Sequence, residues 1–138
     1  MKRKVKKITK DRCGMLENQL FYFKLSVFGY DDDAIYELIG VDTPTGEYIK
    51  EKVKEVLGAR FKTNSWDEII KESFKCGLLE KYDYLNVLVK DQANSSTEKI
   101  FTELFMDEVS FYDSTIPIKE IILSFLDDCN LAFNKEED

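Results

Sequence analysis

Residues 20–30 read LFYFKLSVFGY, in which Phe21, Phe23, Leu25 and Val27 alternate with Tyr22, Lys24, Ser26 and Phe28. A period of two in aromatic and β-branched residues predicts a strand. Apolar side chains on both faces make it a central one, ended by Gly29. A second strand is predicted over 84–90, where Leu85, Val87 and Val89 alternate. Two weaker strands are predicted: a short one at 60–63, and a Lys-rich edge at 2–9 around Val5.

Elsewhere the spacing is helical. Asp31-Asp32-Asp33 precedes Ile35, Leu38 and Ile39, with Gly40 as a stop. Carboxylates at a helix start accept hydrogen bonds from orphan amides and suit the positive end of the dipole. Thr43-Pro44 opens a helix on Ile49, Val53, Val56 and Leu57, with Gly58 as its expected C-cap. Ser65-Trp66-Asp67-Glu68 and Ser95-Ser96-Thr97-Glu98 both read as capping boxes. The first starts a helix on Trp66, Ile69, Ile70 and Phe74 that ends at Gly77. The second starts one on Ile100, Phe101, Leu104 and Phe105 that runs to about Glu108. The most regular pattern is the last: Ile118, Ile121, Ile122, Phe125, Leu126 and Cys129 repeat along one helix face after Thr115 and Pro117. These elements predict one α+β domain over 1–138. Its core would be a small, mostly antiparallel sheet with about five helices packed on one face. Residues 1–12 would form a basic tail or edge strand, and 135–138 a frayed acidic tail.

Charge changes this picture most. The chain has 20 basic and 27 acidic residues in 138, a net charge of -7, yet seven of the cations lie in residues 1–12 beside a single acid. The remaining body carries -13, and from Asp91 onward there are 12 acids and three lysines. Such a body repels a phosphate backbone, so no direct nucleic-acid partner is expected. The basic tail lacks interleaved aromatics and reads as a solubilising segment. No stretch approaches a membrane span, and acidic and polar residues interrupt any signal-like apolar run.

Candidate chemistry is sparse. The chain has no histidine, which removes Ser-His-Asp and Cys-His nucleophiles and His-ligated metals. Cys13, Cys76 and Cys129 are odd in number and widely spaced, with no CxxC pair. This suits a reducing cytoplasm and cannot complete a structural zinc site. Cys76 and Cys129 read as packing residues, and Cys13 is not placed. The three consecutive aspartates lack calcium-loop spacing: no glycine follows where one is needed, and Asp42 stands at the twelfth position. There is no GxxxxGK[ST] loop. No metal and no cofactor is expected. Tyr82, Tyr84, Phe111 and Tyr112 are candidates for an aromatic surface, against which core burial is the stronger expectation for Phe.

Residues 20–45 read LFYFKLSVFGYDDDAIYELIGVDTPT. This resembles the N-terminal signature of a small bacterial family, number four-two-seven-nine among the domains of unknown function. The match is carried by Gly29, Asp31 to Asp33, Ile35, Leu38, Ile39, Gly40, Val41, Pro44 and Thr45, with Trp66 downstream. It covers about a fifth of the chain and departs after Thr45. The resemblance implies a single α+β domain of bacterial origin and brings no catalytic residue with it.

The leading expectation is a non-enzymatic cytoplasmic protein that binds a basic protein, most concretely an immunity protein neutralising a bacterial toxin. Toxins that act on polyanions present cationic clefts, which an acidic partner can reach quickly by electrostatic steering. The candidate surface is Asp107, Glu108, Asp113, Asp127 and Asp128. Asp127 and Asp128 oppose the dipole at a helix end and so need another reason to be there. The alternatives are an anti-restriction or anti-CRISPR inhibitor that mimics nucleic-acid charge, and a small carboxylate-based enzyme.

Overall fold

The computed structural model describes residues 13–89, 99–100, 102–105 and 116–129, apart from the side chains of 86–89. Six helices are bounded in this part: α1 (Glu17–Phe28), α2 (Asp32–Ile39), α3 (Thr43–Phe61), α4 (Trp66–Lys75), α5 (Lys81–Val89) and α6 (Ile118–Asp128). Residues 99–100 and 102–105 are also helical. No strand exists among the described residues, so the expected α+β fold with its sheet is replaced by an all-helical one.

The central strand expected at 20–30 is helix α1. Leu20 through Leu25, Val27 and Phe28 are all buried, Lys24 included. α2, α3, α5 and α6 all pack on this helix, and α4 packs on α3. A helix enclosed on all sides is apolar on all sides, so its sequence shows no stripe, and in such a run a period of two appears by chance. The second expected strand is α5, with Tyr84 and Leu85 buried. The short strand expected at 60–63 is the end of α3 and the turn after it. The edge strand expected at 2–9 lies outside the described residues.

The amphipathic helices form where expected, with corrected ends, but in α2 the expected core residue Leu38 is 50% exposed and Tyr36 is buried beside Ile35 in its place. Asp31 caps α2, its Oδ1 accepting from the Ala34 amide at 2.9 Å. The cap of α3 is Asp42 and not the expected Thr43, with Oδ1 accepting from Thr45 N–H at 3.0 Å. Gly58 is not the C-cap of α3, which continues to Phe61 and closes on Lys62 in the left-handed region (φ 56°). A Cβ at residue 58 would lie 2.8 Å from the Thr63 carbonyl oxygen, so glycine there permits a close approach of the chain. Ser65 Oγ accepts from Glu68 N–H at 3.3 Å. The other half of that expected capping box is replaced, because the Ser65 amide donates to Thr63 Oγ1. α4 buries Ile69, Ile70 and Phe74, and Trp66 packs edge-on against Phe23 of α1 at 5.5 Å. α6 buries Ile121 and Phe125 as its periodicity requires.

The core is aromatic. Phe28 meets Phe125 edge-on at 5.6 Å, Tyr84 stacks on Phe125 at 5.6 Å, and Phe74 meets Tyr84 edge-on at 5.3 Å. The Tyr84 hydroxyl donates to the Lys24 carbonyl at 3.2 Å, satisfying a buried phenol and tying α5 to the middle of α1. Burial pushes that phenol well above its ordinary pKa.

Candidate functional site

Two polar junctions leave α1 in different directions. The first lies where α1, α2 and α3 meet. The Tyr22 hydroxyl donates to Asp32 Oδ1 at 2.8 Å, and Lys50 Nζ donates to Asp32 Oδ2 at 2.8 Å. Alongside, the Tyr36 ring stacks on Tyr22 at 6.2 Å, and its hydroxyl donates to Glu47 Oε2 at 3.0 Å. Gly46 makes the arrangement possible: a Cβ there would lie 2.4 Å from the Tyr36 ring.

The electrostatics of this corner are one-sided. Burial pushes the Tyr22 phenol far above its ordinary range, and the bond to Asp32 pushes it further. Tyr36 is raised in the same way by burial and by Glu47. Burial also acts to raise Asp32, but the Lys50 ammonium and the Tyr22 hydroxyl outweigh it and hold the carboxyl below its usual range. The bond to Asp32 in turn raises Lys50. These four groups therefore keep their protons, or their lack of them, on either side of neutrality. A general acid or base works best with a pKa near the operating pH. The hydrogen bonds of this corner join α1, α2 and α3.

The aspartate triplet has three separate jobs. Asp31 caps a helix, Asp32 bridges Tyr22 and Lys50, and Asp33 is exposed. Among the described residues no group of three or more Cys, Asp or Glu side chains converges as a metal site.

The second junction involves Lys24, which is only 3% exposed and is the buried charged side chain of the described core. Its Nζ lies 3.6 Å from Asp128 Oδ2 and 5.2 Å from the centre of the Phe125 ring, both on α6. This is the reason for an acid at the end of α6 that dipole considerations alone do not supply. Asp127 beside it is exposed. Of the expected binding residues, then, Asp127 faces outward and Asp128 turns toward the core. Asp107, Glu108 and Asp113 lie outside the described residues. Phe111 and Tyr112 do too, while Tyr82 is about half exposed and Tyr84 is fully buried.

No disulfide joins Cys13, Cys76 or Cys129. Cys13 and Cys129 are buried, whereas Cys76 is exposed and is not the packing residue expected. Its Sγ sits 3.6 Å from the Ser73 carbonyl oxygen.

A surface feature of α2 and α3 escaped the sequence reading. Among the described lysines, Lys24, Lys50, Lys52, Lys71 and Lys75 form ion pairs, whereas Lys54, Lys62, Lys99 and Lys119 are exposed outside these pairs. Asp33, Glu37, Glu51 and Asp67 are exposed and take no part in those pairs. Composition does not reveal this, because it counts charges without showing which are already paired. The chain matches no protein-family model, no curated protein and no solved structure. Among the described residues no helix is long and apolar enough to cross a membrane.

Proposed function

We propose that this chain is a non-enzymatic binding domain for a basic protein, most concretely one that neutralises a basic toxin. The observation that supports it is the acidic body of the chain: residues 13–138 carry a net charge of -13. Asp33, Glu37, Glu51 and Asp67 are exposed outside the ion pairs of Lys50, Lys52, Lys71 and Lys75, alongside the exposed cations Lys54, Lys62, Lys99 and Lys119. A net negative body raises the rate of encounter with a cationic partner. The proposed surface lies on α2, α3 and the start of α4, in addition to Asp127 on α6. The hydrogen bonds of Tyr22, Asp32 and Lys50 tie together the helices that carry that surface. A charge mimic of nucleic acid fits these helices less well, because Lys50, Lys52 and Lys54 interrupt the carboxylates of α3.

The test begins with a pull-down from the source organism to recover a basic partner. Its association rate is then compared for the native chain and for Asp33→Asn/Glu37→Gln/Glu51→Gln/Asp67→Asn. Steering predicts a loss of about tenfold or more in association rate at low ionic strength, converging at high salt. Equal rates at low salt would sink the proposal.

A further inference from the structure

We infer that α6 is a releasable latch, seated on the core by Phe125 and poised to open by the buried charge of Lys24 facing Asp128, while α1 to α4 stay folded. Lys24 is 3% exposed and its ammonium has three donors, yet the carboxylate facing it stands at 3.6 Å, beyond ordinary hydrogen-bond length. Its other neighbour is the face of Phe125, also on α6. Both groups that make this buried charge tolerable therefore belong to one helix, and lifting that helix hydrates the ammonium. The other end of the pair is different. Asp128 is 23% exposed, so it reaches water without α6 moving. α6 also ends in two adjacent carboxylates, which oppose its dipole and weaken it as an isolated helix. The closed state gains aromatic contacts of Phe125 with Phe28 and Tyr84, and the open state gains hydration of Lys24.

This asymmetry predicts opposite effects for the two halves of one ion pair. Asp128→Asn leaves a buried ammonium without its counter-charge and drives α6 off. Lys24→Met removes the buried charge, keeps the volume, and leaves a carboxylate that water already reaches, so it closes the latch. Cys129 reports the motion, because it caps α6 and is fully buried. Cys76 is exposed and labels at once, and Trp66 on α4 reports the rest of the fold. Labelling of the full chain by a small aromatic disulfide reagent is followed by mass spectrometry, with rates normalised to those in denaturant.

Cys129 is expected to label faster than Trp66 fluorescence reports unfolding. Asp128→Asn should accelerate that labelling about tenfold or more, and Lys24→Met should slow it. Labelling of Cys129 in step with Trp66 unfolding in every variant would overturn the latch. So would acceleration by both substitutions, which is the behaviour of an ordinary stabilising ion pair. Should Asp128→Asn fail to fold, the sign of the Lys24→Met effect decides alone.

Discussion

Tyr22 and Lys24 stand two residues apart on α1, and each reaches a carboxylate on a neighbouring helix. At Tyr22 the buried group is a neutral hydroxyl, 2.8 Å from Asp32, and the balancing cation, Lys50, sits about one-third exposed at the edge of the molecule. At Lys24 the buried group is itself the charge, and its carboxylate lies 3.6 Å away. The two junctions have similar components in the opposite order from core to solvent. Placing the dipole inside and the ions outside avoids most of the desolvation cost and allows short, directional bonds. Placing the ion inside incurs that cost and makes the contact conditional on one helix staying in place. The first junction is a fixed corner and the second a breakable one.

The largest effect should come from truncating the aromatic anchor of the breakable junction. Phe125→Ala removes a fully buried ring that touches Lys24, Phe28 and Tyr84. A loss of about 3–5 kcal/mol is expected in denaturant unfolding if α6 unfolds together with the rest. A clearly smaller loss, with a reduced denaturant slope, would show that α6 contributes little to the cooperative unit.

Next comes Gly46→Ala, aimed at the fixed corner. The added methyl would occupy the place of the Tyr36 ring, and the ring is held by Glu47 and Tyr22, so about 1–3 kcal/mol is expected. A neutral result in thermal unfolding would mean that the corner yields easily.

The smallest effect is expected from Tyr22→Phe, and it has a pH signature. The folded-state pKa of Tyr22 lies above its unfolded value, so its contribution is fully present below the ordinary phenol range and is lost as pH rises through it. Near neutrality the substitution should cost about 1–2 kcal/mol. In strong alkali the two proteins should approach each other in unfolding midpoint. Parallel curves across the alkaline range would show that the hydroxyl is not linked to folding.

Legibility in the sequence divides along the same lines. α2, α3, α4 and α6 each expose one face, so apolar spacing and capping residues marked them, with small errors at the ends. Glycine usually closes a helix, so Gly58 reads as a C-cap in the sequence, whereas in the fold it admits the Thr63 carbonyl. α1 and α5 were misread because the core does not pattern a helix that it surrounds, leaving only β-branched and aromatic content to read. The polar corner was invisible for another reason. Asp32 is joined to residues 10 and 18 positions away, and nothing in a local window separates it from the capping Asp31 beside it. Asp128 stood out as a misplaced acid, but its partner lies about a hundred positions away. The resemblance over 20–45 rested on residues that mark local ends here: Asp31 caps α2, and Gly29 and Gly40 close α1 and α2.

The enclosure of α1 also matters before the chain has folded. LFYFKLSVF has the composition of a segment that stacks into intermolecular β-structure: rich in aromatic and β-branched residues, free of proline, and carrying one charge. Until the other helices cover it, a segment of this composition is open to pairing with a second copy. The one charge that interrupts the run is Lys24, so the lysine that burdens the finished core is the gatekeeper of the nascent chain.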